Sequence, residues 1–110
     1  MPEKTPASIS RLNDLLRTHG IGGKILATPS VVNLSAHTRA DVMNAIRDFN
    51  AFTDDNDPYG EHDFGAVEVS GDKFFFKIDY YDLTMERGSV NPADPNVTTR
   101  VMTIMKAEEY

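Results

Sequence analysis

The chain has 110 residues, 40% hydrophobic and 25% charged, which predicts one globular domain over 1–110 with a flexible N-terminus at 1–6 and excludes wholesale disorder and fibrous repeats. Its 11 Lys and Arg against 17 Asp and Glu give a net charge of −6 without any basic run, so direct nucleic-acid binding is disfavoured. The absence of Cys excludes disulfides, thiol catalysis and Cys-ligated metals.

The first elements are a helix and a short strand. Apolar residues recur at helical spacing over 8–19, with Thr5 or Ser8 as a cap and Gly20 after the last turn. Residues 24–28 are predicted to form a strand that Pro29 limits, and 30–36 fit no single period. The N-terminal residues lack the apolar stretch of a signal peptide or membrane span, so we expect a cytoplasmic protein without membrane contact.

A second helix is predicted from one apolar stripe, with a cap at Thr38 and Asp41 and an end near Thr53. The stripe consists of Val42, Ala45, Ile46, Phe49 and Phe52. Residues 54–63 follow with turn-forming residues and carboxylates but no apolar period, which indicates a loop.

Residues 64–69 and 73–81 are predicted to form a β-hairpin, with either Ser70-Gly71 or Gly71-Asp72 as its two-residue turn. Alternation divides it into a core face (Val67, Val69, Phe74, Phe76, Ile78) and an opposite face (Glu68, Phe75, Lys77, Asp79, Tyr81). A long loop at 82–96 leads to a last, central strand at 97–106, which is apolar on both faces.

This order, α-β-α-β-β-β, predicts an α+β fold. Two helices are expected to pack on one face of an antiparallel or mixed sheet of about four strands. The hairpin's core face should meet the apolar stripes of both helices at Leu12, Leu16, Ile46 and Phe49.

Several long runs carry a resemblance to a known family. They are DNDPYGEHDFG at 55–65, residues 77–81, and TTRVMTIM at 98–105 followed by AEEY at 107–110. From the first helix onward the chain resembles a small bacterial, mainly proteobacterial, family catalogued only as a domain of unknown function. The resemblance implies no activity, cofactor or catalytic residue, and it implies a setting on plasmids or other mobile elements.

A catalytic hypothesis centres on Glu61, His62 and Asp63, which place an imidazole between two carboxylates. Neighbours in an extended segment point to opposite sides, so partners such as Asp79, Tyr81 or Arg100 would have to come from other strands. The structural alternative is a loop in which Asp57 or Asp63 bonds backbone amides and His62 packs on Tyr59. A small hydrolase-like or metal-assisted enzyme is the function that the first hypothesis predicts.

No cofactor or metal ion is expected. Asp55, Asp57 and Gly60 match three positions of a calcium-binding EF-hand loop, but Tyr59 and Ala66 stand where two ligands are needed. Nor does the sequence contain a Gly-rich phosphate cradle.

The favoured hypothesis is a non-enzymatic protein-binding or regulatory module. Candidate binding residues are those of the acidic loop (Asp54, Asp55, Asp57, Tyr59) and of the open hairpin face (Phe75, Lys77, Tyr81), unless the 82–96 loop covers that face. The partner would be another protein. A protein that itself binds nucleic acid is a suitable target, because its basic surface attracts an acidic one. With the mobile-element setting, this suggests an inhibitor of a host defence system, of the anti-CRISPR or anti-restriction type.

Overall fold

The computed structural model describes residues 2–110 and shows an α+β fold, as predicted. Its helices are α1 (Pro6–His19), α2 (Pro29–Val32) and α3 (Ala36–Asp48), and its strands are β1 (Lys24–Ala27), β2 (Phe64–Val69), β3 (Asp72–Tyr81) and β4 (Thr99–Lys106). A short 3₁₀ helix at Ala107–Glu109 follows β4. The strands form one mixed sheet in the order β1-β4-β3-β2, in which β1 runs parallel to β4 and the other pairs are antiparallel.

Helix α1 begins and ends as its sequence predicts. The Thr5 hydroxyl accepts a hydrogen bond from the Ser8 amide, and the Ser8 hydroxyl accepts one from the Thr5 amide. Gly20 ends the helix with a left-handed backbone, φ 69°. Within the N-terminal segment 1–6, which was expected to be flexible, the Pro2 carbonyl accepts a hydrogen bond from the Asn91 side chain. Met1 lies outside the described residues.

Helix α3 differs from its prediction at both ends. Its N-cap is Ser35, whose hydroxyl accepts from the Thr38 amide, so the expected cap at Thr38 and Asp41 is wrong. The helix ends at Asp48 and not near Thr53. The reason is Arg17, whose buried guanidinium donates to the carbonyls of Ile46, Arg47 and Phe49 and thereby satisfies the helix end.

Two further boundaries were not predicted. The segment after β1, to which the sequence assigned no structure, contains the short helix α2 with Pro29 at its first position. The described chain therefore has three α-helices before the hairpin, where two were predicted. Strand β4 begins at Thr99 and not at Val97, because the Thr98 hydroxyl bonds the Asn91 carbonyl and the Ser89 hydroxyl within the preceding loop.

The core lies between the helices and one face of the sheet. It consists of Leu16, Val31, Val42, Ile46, Phe74, Phe76, Ile78, Met102 and Ile104. The predicted hairpin face is confirmed, with Ser70-Gly71 as the turn and Val67 opposite Phe74. Phe49 packs against this core as expected, whereas Leu12 is half-buried outside it. Across residues 2–110, none of the helices has both the length and the hydropathy to cross a membrane.

Candidate functional site

The acidic loop between α3 and β2 is held together by its own hydrogen bonds. The Asn56 side chain accepts from the Thr53 amide and donates to the Ala51 carbonyl, both at 2.8 Å. The Asp57 amide donates to the Thr53 carbonyl at 2.8 Å, and the Gly60 amide to the Asp57 carbonyl at 3.0 Å. These bonds close two consecutive turns, which fixes the shape of the loop.

Asp57 is the anchor of the loop and not part of its surface. Its side chain is 5% exposed, and its Oδ1 accepts from the amides of Glu61 at 3.1 Å and His62 at 3.2 Å. His62 has a left-handed backbone with φ 58°, which is uncommon for a residue with a side chain. The carboxylate of Asp57 holds the chain in that conformation.

His62 lies against an aromatic ring and two carboxylates, with 31% of its side chain exposed. Its ring stacks on Phe52 with the centroids 4.0 Å apart. Its Nδ1 lies 3.0 Å from Asp14 of α1, and its Nε2 lies 3.7 Å from Asp57. The sequence-based expectation that His62 packs on Tyr59 is wrong, since Phe52 is its stacking partner and Tyr59 is 78% exposed.

A buried polar network adjoins this group. Arg100, 1% exposed, donates through Nε to Asn13 at 2.6 Å and through a terminal nitrogen to the Pro92 carbonyl. Asn13 donates to the Tyr80 hydroxyl, which in turn donates to Glu61, both at 2.8 Å. Burial lowers the pKa of Arg100 and raises that of Tyr80. The network ties α1, β3, β4 and the acidic loop together.

Among the five candidate catalytic residues, His62 makes no side-chain hydrogen bond or ion pair with the other four. Glu61 and Arg100 belong to the buried network, while His62 bonds Asp14 and Asp57. Asp79 forms an ion pair with Lys77 at 3.2 Å, an interaction that raises the pKa of Lys77. The expectation that His62 recruits Asp79, Tyr81 or Arg100 is therefore wrong.

Asp63 has no side-chain hydrogen bond to His62 and lies half-buried directly before β2. Its pKa is raised, first by burial and then by the neighbouring carboxylates of Glu61, Asp57 and Asp79. No group of three or more His, Asp or Glu within 2–110 is arranged to hold a metal ion.

The site residues that sequence analysis missed are Asp14, Asn13 and Tyr80. Two of them carried a signal: Asn13 falls on the buried helical stripe with Ile9 and Leu16, and Tyr80 alternates with Ile78 on the core face. Asp14 carried no such signal, because no local sequence pattern relates it to His62, which lies 48 residues away in the chain.

The remaining candidate binding residues lie on two separate surfaces. Asp54, Asp55 and Tyr59 are exposed on the acidic loop. Phe75, Lys77 and Tyr81 lie on the sheet face opposite the core, each partly exposed. The Phe75 ring contacts Phe64 and Tyr110, at centroid distances of 4.9 and 5.6 Å.

The 82–96 loop makes its contacts elsewhere. Gly88 forms an isolated antiparallel β-bridge with Tyr81, and the Ser89 amide donates to the Tyr80 carbonyl. The Pro92 carbonyl accepts a hydrogen bond from buried Arg100. The segment from Asn91 to Asp94 is buried. This loop thus closes the end of the core above Arg100, whereas Tyr110 shields Phe75.

The model of one protein family, described as a protein of unknown function (DUF3768), matches residues 27–109. The chain belongs to this family. The match confirms the resemblance to a family of unknown function. It begins at Ala27, after α1, whereas the resemblance was expected to include α1. Searches of curated proteins and of solved structures each found no significant match.

The DUF3768 match contains the acidic loop, the hairpin and β4. Asn13, Asp14 and Arg17 of α1 lie before it. These three side chains hold Arg100, His62 and the end of α3, respectively, so residues outside the matched span complete the support of the loop within it.

Proposed function

We propose that this chain is a non-enzymatic protein-binding module that presents the acidic turn at 54–59 to a basic surface of another protein. One observation carries the proposal: a rigid turn projects three side chains that the fold does not use. Asp54 and Asp55 are exposed, and no ion pair of the described residues includes either. Tyr59 is 78% exposed.

The rigidity of the turn favours binding because less conformational freedom is lost when a partner docks. The hydrogen bonds of Asn56 and the buried carboxylate of Asp57 provide this rigidity. An exposed tyrosine suits the centre of an interface, since it offers a large apolar area with few rotatable bonds. The two aspartates beside it would steer a basic partner toward the turn.

The chemistry at His62 supports a non-enzymatic role. A general base needs a ring nitrogen that can reach a substrate proton. Here Nδ1 lies 3.0 Å from Asp14, which orients the ring, but among residues 2–110 no hydroxyl or amine side chain hydrogen-bonds either ring nitrogen and could act as a nucleophile. His62 does not line the groove between α3 and β1, the cleft beside the start of α1 or the cleft between the start of β3 and the end of β4.

The partner class follows from charge. A protein with net charge −6 repels phosphate backbones and attracts the basic grooves that bind them. We therefore propose a nucleic-acid-binding protein as the partner. Because the resemblance implies a mobile-element setting, we propose that this partner belongs to a host defence system of the CRISPR or restriction type, which the chain would inhibit. The open sheet face with Phe75, Lys77 and Tyr81 is a secondary contact in this proposal.

Site-specific photocrosslinking tests the proposal directly. A photoreactive phenylalanine analogue at position 59 should crosslink one basic protein in native cells, and Asp54→Asn with Asp55→Asn in the same chain should abolish the adduct. The analogue at position 90 is the matched control, because Val90 is 79% exposed on a different loop. The same adduct at both positions, or none at 59, would contradict the proposal.

A further inference from the structure

The strongest unassigned feature is a groove between α3 and the edge strand β1. It encloses about 360 Å³ and is lined chiefly by small or apolar side chains, among them Ile25, Ala27, Ala40 and Met43. Two arginines, Arg39 and Arg47, also line it, and no carboxylate does. In a chain with net charge −6, this is a locally basic and apolar surface.

Strand β1 provides hydrogen-bonding groups along the groove. In the sheet order it pairs only with β4, so its outer edge has no strand partner within the described chain. All four of its residues are exposed, Leu26 to 50%. An exposed apolar edge strand is a template on which another extended chain can pair.

We infer that this groove binds an extended, acidic segment of another protein, which adds to the sheet as a fifth strand beside β1. In that arrangement the backbone of the segment would pair with Lys24–Ala27, and alternate side chains would enter the groove. The small side chains of Ala36 and Ala40 leave room for close approach, and flexible Met43 can adapt to the side chains that enter.

The spacing of the two arginines specifies the segment. Arg39 is held in place by donating to the carbonyls of Val32 and Leu34, at 2.8 and 3.3 Å. Arg47 lies eight residues further along α3, which corresponds to about 12 Å along a helix axis. Two residues on the same side of a strand and four positions apart are separated by about 13 Å. The matching pattern is therefore an acidic residue, an apolar residue and a second acidic residue at alternate positions.

Charge also distinguishes this occupant from a second copy of the chain. Antiparallel pairing of β1 with β1 of a second copy would bring two arginine-lined grooves to one interface, and the repulsion between their like charges opposes that pairing. An acidic segment relieves that repulsion. The inference does not depend on the acidic turn, which lies on another element and would attract a partner of opposite charge.

The test uses the 110-residue chain labelled with ¹⁵N and the peptide acetyl-Ser-Thr-Glu-Thr-Val-Thr-Glu-Thr-Ser-amide, in which the two Glu are the charged residues. Its two Glu and its Val lie on one side of an extended chain. Amide resonances of Lys24–Ala27 should shift on titration, and a peptide with Lys in place of both Glu should leave them unmoved. Absence of shifts in β1 with the acidic peptide would overturn the inference.

Paired variants make the test specific. Arg47→Glu should weaken binding of the acidic peptide by about tenfold and create binding of the lysine peptide, as expected of a close charge pair. Arg11→Glu is the control, because it makes the same charge change at an exposed site on α1 and should leave affinity unchanged. Equal loss in both variants would overturn the inference, as would sedimentation showing a dimer that Arg47→Glu dissociates.

Discussion

The rings of His62 and Phe52 are parallel to within 2°, with their centroids 4.0 Å apart. Phe52 in turn meets the edges of Phe49 and Phe76, so the stack joins the acidic loop to the hydrophobic core. Asp14 fixes the imidazole from the side of α1. His62 thus connects the end of the acidic loop to the core, beside the anchor that Asp57 provides within the loop.

Replacing His62 tests that role. His62→Ala should lower the free energy of unfolding by about 1–2 kcal/mol, since it removes an aromatic stack and a hydrogen bond to a carboxylate. His37→Ala is the control: its side chain is 90% exposed, and the change should stay within about 0.5 kcal/mol. Urea denaturation measures both. On the folded fraction, His62→Ala should leave partner binding unchanged, and an inactive but fully stable variant would indicate catalysis instead.

The two faces of the hairpin should respond differently to truncation. Phe76 is fully buried in the core, so Phe76→Ala should cost about 3–5 kcal/mol. Phe75 on the opposite face contacts only partly covered aromatic neighbours, so Phe75→Ala should cost clearly less. Equal losses in thermal or urea unfolding would contradict the assignment of the faces.

Asp63 should make stability depend on pH. Because burial raises its pKa above the ordinary 3.8, the folded chain binds more protons than the unfolded chain between the two values. The free energy of unfolding then falls as pH rises through that window. Asp63→Asn removes the buried charge, so the variant should exceed the wild type in stability at neutral pH.

The pH profile provides the check on Asp63. The advantage of Asp63→Asn should shrink as pH falls through the raised pKa and level off below 3.8, where the wild-type carboxyl becomes protonated in both states. Denaturation midpoints measured over this range determine it. A wild type that is more stable than the variant at neutral pH would show instead that the carboxylate makes a favourable contact.

Local patterns were sufficient to predict most of the fold. Alternation in the hairpin assigned Phe74, Phe76 and Ile78 to the core, and the Thr5 and Gly20 signals bounded α1. The end of α3 was not predictable, because Phe49 and Phe52 continue the helical period. What ends the helix is Arg17, which binds its last carbonyls from 30 residues away.

The candidate site was less predictable than the fold. Sequence analysis recognised that Asp57 can bond backbone amides, but its position in an acidic run also favoured a surface role. The partners of His62 come from α1 and from the end of the α3 region, and no local spacing encodes them. Long-range polar contacts of this kind depend on the packing of the helices, which a periodic pattern does not specify.

The proposed recognition of a basic protein by the acidic turn depends on electrostatic attraction. Asp54→Asn with Asp55→Asn leaves the anchor Asp57 intact, so it removes surface charge without loosening the loop. Asp72→Asn with Glu68→Gln is the matched control, since both residues are exposed on the hairpin.

The most direct measurement is the association rate constant of the crosslinked partner, determined by stopped-flow mixing over a range of salt concentrations. Added salt should slow wild-type association steeply, and the turn variant should associate about tenfold more slowly at low salt with little change in dissociation. The hairpin variant should retain most of the wild-type rate. An association rate that ignores both salt and the charges of Asp54 and Asp55 would contradict the account.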